Sequence, residues 1–560
     1  MKINGYEIAL SEAQLDDIIN NRMRRVKLVS KNFAGYKNLT EGNKKALEHL
    51  VAAAKIFDDV AMEQDHEMNL PMKKALEEAA QNSTYAAKAL KLFTSFHGVE
   101  GHNGIDLEPV EIFKGIKGAK GRNFYPADLG VEEFHEILTR MVNEGKIDEV
   151  KKILSVRTMV RRDGKNLKAI DYTEYFKDAF SKAANEIEVA AHYTTDEDFK
   201  DYLGWQAQAL LQNNEDMDML ADKHWAVLQN NNQLEFTLGR ESYDDELTPT
   251  VYDNPALLEL LNQHQIEVNP KDMLGVRVGI INKEGTDLIL KFKQHMPELA
   301  KLMPYAGQYH QSVSDAGELK QTMVDVDVVA LTGDYAQCRG AITTAQNLPN
   351  NDKLAIKTGG GRRNAYHRQV RMSGDPERNR KLLERLVAPE LHKYFDLEAD
   401  HLFVIGHENG HSLGPDNEYQ RALGLYKSTV EEEKADVVSI AFMPEYVKAG
   451  VIDEETLKKI YKAQPLEAHR VGELIHFNFL HDNGAFWFDD EHKLHINFDR
   501  FHDVVYAMLK ETIEVQLSKS SEKAKAFIDK YTKWGKESQY IAKVQNELGV
   551  KNYIWIEDNF

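Results

Sequence analysis

Apolar residues recur at spacings of three and four from Leu10 to about Asn231. This spacing places them on one face of an α-helix and predicts a helical scaffold for this part of the chain. The clearest stretches are residues 45–58 and 76–96. Between Phe96 and Pro126, glycines and turn-forming residues interrupt the pattern, which predicts irregular structure packed against the helices.

The pattern changes between about Gln233 and Thr358, where short β-branched runs replace the helical spacing. Such runs predict the strands of a small sheet or barrel. They lie at residues 276–281, 324–331 and 354–357. After Pro376 the helical spacing returns, and it predicts helices at residues 377–386, around His407, and at 430–443, 467–480 and 500–517.

The chain has 560 residues, of which 42% are hydrophobic and 29% are charged. Because a single core usually stops growing beyond roughly 250 to 300 residues, we expect two or three lobes. The formal net charge of −20 argues against nucleic acid or an anionic membrane as a partner, since both attract an excess of Lys and Arg. A local basic stretch, "KTGGGRR" at residues 357–363, also fits a solvated loop.

Cys338 is the only cysteine in the sequence. It excludes an intrachain disulfide and a cysteine-rich zinc site, and it favours a reducing compartment. The N-terminal residues lack the apolar stretch of a secretory signal, and no later run approaches the roughly 20 apolar residues of a membrane span. We therefore expect a cytoplasmic protein.

The segment "HLFVIGHENGHSLG" contains His407, Glu408 and His411 in the pattern H-E-x-x-H. On a helix, two histidines four residues apart face the same way, which suits Zn²⁺ ligated by imidazole nitrogens. Glu408 is then the candidate base that takes a proton from a zinc-bound water. Gly410 lies inside the predicted helix at a cost of about 1 kcal/mol relative to alanine, so it has a packing or functional reason.

A second helical stretch, "VEEEKADVVSIAF", begins 19 residues after His411. Catalytic zinc sites typically have three protein ligands and one exchangeable water, and Glu432 would complete a set of two histidines and one glutamate. Asp436 and Glu431 could each accept a hydrogen bond from the other ring nitrogen of one zinc histidine. The alternative is that the acids only form a charged first turn at a helix N-terminus.

At these two motifs, "HENGH" and "EEEKAD", the chain resembles dipeptidyl peptidase III, whose zinc site combines an H-E-x-x-[x]-H helix with an E-E-x-x-A-[DE] helix. The resemblance implies one zinc ion per chain. It also implies that Glu432 is the zinc carboxylate and that Glu431 and Asp436 support the histidines, as the residues themselves indicate.

Three further segments resemble the family's substrate-binding regions. "PLEAHRVGELIHFNFLHDNGA" is similar to the segment with a non-ligating active-site histidine, which implies that His469 stabilises the transition state. "TTAQNLPNND" implies that Asn347 and Asn350 bind the peptide backbone or its N-terminal amine. "GRESYDDE" implies Glu241 for the free amine and Tyr243 for the oxyanion. Without the resemblance, His469 would be interpreted as an ordinary residue on a helix surface, and the segment with Asn347 and Asn350 as a turn.

The resemblance also implies an α+β fold, mainly helical, with two lobes around a wide cleft. One lobe is helical and bears zinc, and the other is mixed α/β with a small β-barrel-like sheet. Residues 1–270 would form the mostly helical N-terminal part of the lower lobe, and residues 271–330 and 371–540 the zinc-bearing upper lobe. Residues 331–370 and 541–560 would be substrate-binding strand segments and a tail that return to the lower lobe.

The chain departs from longer family members, which have an extra residue between the two histidines and a larger insertion before the second motif. Glu473 stands where those members have an arginine that grips the C-terminal side of the substrate. These departures bear on the cleavage efficiency and the peptide preference.

Together these features predict a zinc-dependent exopeptidase that releases dipeptides from the free N-terminus of short peptides. Another zinc aminopeptidase or an oligoendopeptidase would use the same ligand set. A weakly active peptide-binding protein is a further alternative, motivated by Glu473 and Gly410, and a helical scaffold with coincidental motifs is the last. The sequence does not indicate an oligomeric state.

Overall fold

The computed structural model describes residues 1–102, 109–212, 215–226, 228, 232–241, 245–311, 322–336, 342, 344–348, 363–396, 398–416, 419–420, 422–463, 471–549, 551 and 553–560.

Helices dominate the N-terminal part, as the apolar spacing predicts. The predicted stretch 76–96 contains two helices, because the Ser83 side chain accepts a hydrogen bond from the Ala86 backbone N–H and starts a new helix. The helices are α1 (Glu12–Asp17), α2 (Ala34–Lys37), α3 (Glu41–Asp65), α4 (Asn69–Ala80), α5 (Thr84–Phe96), α6 (Val131–Asn143), α7 (Ile147–Ile153), α8 (Tyr172–Tyr175), α9 (Lys177–Tyr193), α10 (Glu197–Leu211), α11 (Glu215–Ala226) and α12 (Pro255–Gln263).

Short strands accompany these helices, and the apolar spacing did not indicate them. They are β1 (Lys2–Ile3), β2 (Tyr6–Glu7), β3 (Met23–Lys27), β4 (Glu100–His102), β5 (Pro109–Glu111), β6 (Thr158–Asp163) and β7 (Asn166–Asp171). β1–β2, β4–β5 and β6–β7 are antiparallel pairs.

A five-stranded mixed sheet follows, which confirms the predicted sheet. Its strands are β8 (Leu234–Glu241), β9 (Met273–Asn282), β10 (Thr322–Gly333), β11 (Ala345–Leu348) and β12 (Arg363–His367), in the order β11-β12-β10-β9-β8. β10 and β12 are parallel, and the other neighbours are antiparallel. Within the described chain the sheet is open rather than a closed barrel. The predicted strand at 354–357 lies outside the described residues.

The C-terminal part is again helical. Its helices are α13 (Lys283–Gln294), α14 (Met296–Leu302), α15 (Arg368–Arg371), α16 (Pro376–Leu386), α17 (Glu398–Gly410), α18 (Lys427–Lys448), α19 (Glu454–Ala463), α20 (Val471–Asp482), α21 (Phe498–Leu517), α22 (Ser521–Tyr531) and α23 (Lys536–Glu547). A hairpin of β13 (Phe486–Phe488) and β14 (Leu494–Ile496) lies between α20 and α21. The last strand, β15 (Tyr553–Glu557), pairs in parallel with β3 near the N-terminus.

Two large hydrophobic cores hold these elements together. The first includes Phe57 of α3, Phe180 of α9 and Val276 of β9. The second includes Val438 of α18 and Leu509 of α21 and lies under the C-terminal helices. Because the two cores are separate, they support the two-lobed organisation that the sequence predicts. No helix in the described ranges combines the length and the apolar composition needed to cross a membrane.

Candidate metal centre

Helices α17 and α18 carry the two predicted zinc motifs, and they pack against each other at small residues. A Cβ atom on Gly410 would lie 2.8 Å from the carbonyl oxygen of Ala435, and a Cβ atom on Gly406 would collide with the Ser439 side chain. Gly410 is the last residue of α17 rather than an interior one. The close approach of the helices therefore explains the glycine inside the motif.

Three predicted ligand atoms converge where the two helices meet. His407 Nε2 lies 3.1 Å from His411 Nε2 and 3.5 Å from Glu432 Oε2, and the third distance is 3.9 Å. His411 follows α17 directly, and its backbone N–H donates to the carbonyl of His407. Three donors at about 2.1 Å from a tetrahedral ion would lie about 3.4 Å apart, so the triangle has the size that a zinc ion requires.

The second nitrogen of each histidine faces a carboxylate. His407 Nδ1 lies 2.6 Å from Asp436 Oδ1, and His411 Nδ1 lies 3.1 Å from Glu431 Oε1. A carboxylate in this position accepts a hydrogen bond from Nδ1–H. The lone pair of the neutral ring then lies on Nε2. Both Nε2 atoms therefore face the proposed ion position, where they can ligate a cation that displaces any proton they hold.

Glu431 is itself held by side chains that the sequence did not single out. Its Oε2 accepts hydrogen bonds from Gln420 Nε2 at 2.7 Å and from Gln516 Nε2 at 3.1 Å. Its Oε1 lies 2.8 Å from Nζ of Lys434. The two glutamines come from a segment before α18 and from α21, so no local pattern indicated them. The sequence offered one indication for Lys434, which is a cation on the otherwise apolar face of a buried helix.

The protonation of this cluster follows from its charges. Burial alone would lower the pKa of His407, but Asp436, Glu408 and Glu432 outweigh burial and raise that pKa to about 9. Burial would raise the pKa of Asp436, yet the charge of His407 and its hydrogen bond lower it overall. Without a metal ion, His407 therefore holds a proton at neutral pH, and a cation bound at its Nε2 would displace that proton.

Behind Asp436 lies a second buried pair that the sequence did not indicate. Glu433 Oε2 is 3.7 Å from His476 Nδ1, and Glu433 is fully buried. Burial raises the pKa of Glu433 to about 7, more than the hydrogen bond and charge of His476 lower it. His476 comes from α20, so only the packing of α20 on α18 brings the pair together.

The candidate base Glu408 is buried beside the ligand histidines, with 8% of its surface exposed. Tyr366 of β12 is close enough that burial first, and the Glu408 carboxylate second, raise the pKa of its phenol. The Tyr366 ring also packs edge-on against His401 of α17, with ring centroids 5.8 Å apart. Through these contacts the sheet reaches the helix that carries the motif.

The remaining predicted site residues are described only in part. His469, Tyr243 and Asn350 lie outside the described residues. The backbone of Glu241 ends β8 opposite Met273, and that of Asn347 lies in β11 opposite Asn364. The side chains of Glu241 and Asn347, like that of Glu473 in α20, are outside the described part. Their predicted roles therefore stay predictions.

The chain is similar to known proteins both in sequence and in structure. No protein-family model matches the chain. The chain is similar to Nudix hydrolase 3 of Arabidopsis thaliana, with 22% identity in an alignment that covers 88% of this chain and 68% of the plant protein.

Two solved structures share the fold. Dipeptidyl peptidase III from Caldithrix abyssi matches with a TM-score of 0.75 and 23% identity, covering 95% of this chain and 97% of that one. Dipeptidyl-peptidase III from Corallococcus sp. strain EGB matches with a TM-score of 0.75 and 19% identity, covering 98% and 97%. Both matches span nearly the whole chain. The protein therefore has the two-lobed, mainly helical fold of dipeptidyl peptidase III.

Proposed function

We propose that the protein is a zinc-dependent exopeptidase that releases dipeptides from the free N-terminus of short peptides. The observation that carries this proposal is the convergence of His407 Nε2, His411 Nε2 and Glu432 Oε2 within 3.9 Å of one another. Two histidines and one glutamate form a catalytic zinc site with an open fourth position. The shared fold of two dipeptidyl peptidase III structures supports the same class of reaction.

The donor set fits zinc better than a hard cation. Imidazole nitrogens suit zinc and its neighbours in the first transition row, whereas Mg²⁺ and Ca²⁺ prefer sites made of oxygen atoms. The carboxylates at both Nδ1 atoms add to the fit, because they orient the rings and raise the basicity of the ligating nitrogens.

A bound zinc ion would lower the pKa of a coordinated water towards about 7 and polarise the scissile carbonyl. Glu408, next to His407 in the chain and buried, would take the proton of the attacking water and pass it to the leaving amine. His469 and Tyr243 would donate hydrogen bonds to the developing oxyanion.

Removal of two residues at a time requires groups that hold the free N-terminal ammonium. We assign this role to the carboxylate of Glu241 and the amides of Asn347 and Asn350. Asn347 belongs to β11, which stands at one end of the sheet among the residues that the structure describes. An extended peptide can pair with such an edge through its main chain, which would place its N-terminus at a fixed distance from the metal.

The test is mass spectrometry of the products from a pentapeptide with a free N-terminus and from the N-acetylated form of the same peptide. Each is incubated with the zinc-loaded protein and with its Glu408→Gln variant. We expect the parent to release a dipeptide and a tripeptide from the unblocked peptide only. The variant should keep its zinc and lose about 100- to 10,000-fold in turnover, the usual contribution of a general base.

Other outcomes separate the alternatives. Release of single amino acids would indicate an aminopeptidase, and internal cuts or cleavage of the acetylated form would indicate an oligoendopeptidase. Zinc and peptide binding without cleavage would favour the peptide-binding protein that Glu473 motivates. A parent protein without bound zinc would reject the proposal. The name of the plant relative denotes another class of hydrolase, and at 22% identity it carries no activity to this chain.

A further inference from the structure

Lys434 of α18 is a fully buried lysine whose ammonium group lies against the C-terminal end of α17. Its Nζ lies 2.7 Å from the carbonyl oxygen of Gly410, 2.7 Å from that of Leu413 and 2.8 Å from Glu431 Oε1. An ammonium group has three N–H donors and no acceptor, so these three oxygens satisfy it completely. A buried charge is tolerated only with such pairing.

Two of these acceptors belong to the turn that carries the ligand His411. Gly410 precedes this histidine and Leu413 follows it by two residues. The last carbonyls of a helix lack partners within the helix and form the negative end of its dipole, so a cation there stabilises the turn. The side chain of Lys434 also packs near Gly414, where a Cβ atom would lie 3.5 Å from Lys434 Cδ.

The third acceptor, Glu431, fixes the ring of the same histidine. Its Oε1 lies 3.1 Å from His411 Nδ1, and the Lys434 ammonium compensates its charge. Lys434 therefore contacts the backbone on both sides of His411 and the carboxylate that orients its imidazole. By comparison, the ring of His407 is oriented by Asp436, whose Oδ1 lies 2.6 Å from His407 Nδ1.

We propose that Lys434 is a positioning residue of the metal centre, which holds His411 Nε2 in place through the turn at residues 410–413 and through Glu431. This inference rests on the proposed function in so far as the cluster binds zinc. It assigns Lys434 no contact with substrate or metal. Its loss would leave the buried Glu431 carboxylate without its cation and the turn without its cap.

The test is the zinc affinity per folded chain, measured by competition with a chelator for the parent protein and for Lys434→Met, Lys434→Gln and Lys434→Arg. Loss of a partner of a ligating histidine typically costs 10- to 100-fold in metal affinity, so we expect about that loss in the first two variants. Lys434→Arg keeps the charge and the donors and should recover most of the affinity. The two neutral variants together keep the test valid if one of them fails to fold.

Lys271 offers a matched control in the other part of the molecule. It is also fully buried, and its Nζ contacts the carbonyls of Ile153 and Ser155 and the hydroxyl of Thr158 at 2.6–2.7 Å. Lys271→Met should destabilise the fold in the same way without touching zinc. We therefore expect its zinc affinity per folded chain to stay within about twofold of the parent value. A residue outside the metal centre affects the affinity only if it orients a ligand, and Lys271 orients none of the proposed ligands.

A double variant sharpens the test. Lys434→Met combined with Glu431→Gln removes both charges, so its loss of zinc affinity should be smaller than the product of the two single losses. Unchanged affinity in both neutral variants, an equal loss in Lys271→Met, or fully multiplicative losses would each overturn the inference. A parent protein that binds no zinc would overturn the proposed function and this inference with it. If the parent protein binds zinc and one of the other three outcomes is found, only this inference fails and the proposed function stands.

Discussion

Two charge clusters, one in the sheet and one between α17 and α18, arrange their carboxylates in different ways. In the sheet, Glu235 of β8 lies between Arg277 of β9 and Arg363 of β12, and all three side chains are fully buried. Glu235 Oε2 accepts from Arg363 at 2.8 Å, and Oε1 accepts from Trp225 Nε1 at 3.0 Å. Burial would raise the pKa of Glu235, but the two guanidinium groups hold it at about 2.

The cluster between the helices is built differently, because three potential ligand atoms converge on one point. Each carboxylate oxygen in the sheet cluster has donors in front of it. At the metal centre, His407 Nε2, His411 Nε2 and Glu432 Oε2 face one another. Buried charges that satisfy each other belong to the scaffold, whereas ligand atoms aimed at a common point suit a metal cation. Four measurements test this difference.

The largest expected effect is loss of zinc in His407→Ala. Removing a ligand should lower zinc affinity by more than about 100-fold, the upper end for a partner that only orients a ligand. Zinc content after dialysis and peptidase rate give the measurement. His481→Ala, at a histidine with 36% of its side chain exposed, is the control and should keep both. A His407→Ala protein with parental zinc content would place the metal elsewhere.

The sheet cluster should respond in stability and not in zinc binding. Glu235→Gln leaves two buried guanidinium groups without their carboxylate, which typically costs about 3–5 kcal/mol in the free energy of unfolding. Urea unfolding measures this loss. Glu298→Gln, at a carboxylate with 70% of its side chain exposed, should change stability by less than about 1 kcal/mol. A fall in zinc affinity per folded chain in Glu235→Gln would contradict the division of roles.

A smaller effect is expected from Asp436→Asn. An amide can present its NH₂ group to His407 Nδ1, which favours the tautomer whose Nε2 carries the hydrogen and cannot ligate. We expect zinc affinity to fall by about 10- to 100-fold, measured by chelator competition. Asp529→Asn, at an aspartate with 60% of its side chain exposed, should leave it unchanged. Equal affinities in both variants would count against the role of Asp436.

The smallest effect, taken per pH unit, is the pH dependence of zinc binding at the centre. The pKa of His407 is raised to about 9 in the metal-free protein, above the usual value of 6.5. The stabilisation from its proton is therefore full below pH 6.5 and is lost as pH rises towards 9. Zinc competes with this proton, so its affinity should rise about tenfold per pH unit in the same window.

Melting curves with and without zinc, recorded between pH 6 and 9, measure this trend. The difference in melting temperature between the zinc-loaded and the metal-free protein should widen with pH. A constant difference would show that His407 does not exchange a proton for the metal.

Most elements could be predicted from local spacing, because a helix or strand repeats its own pattern. Residues 430–443 lie within α18, and residues 276–281 and 324–331 lie within β9 and β10. The break between α4 and α5 was missed, since apolar spacing continues across the Ser83 cap. The hairpin of β6 and β7 was missed because its strands are short and lie among strong helical signals.

The candidate site divides in the same way. His407, Glu408 and His411 share one helical turn, and Glu432 shares another helix with Glu431 and Asp436, so spacing alone grouped them. Gln420, Gln516 and the Glu433–His476 pair depend on contacts between separate elements. Their sequence surroundings resemble those of any buried helix, and no local pattern distinguishes them.

The sequence alone determined which side chains can supply metal ligands, because ligand type and helical period are local properties. Only the tertiary structure decided that α17 and α18 approach closely enough at Gly406 and Gly410 to bring those ligands together. It also decided that Lys434 is buried against Glu431 and the end of α17. The physical reason is that burial and charge compensation arise between elements distant in the chain, where periodicity carries no information.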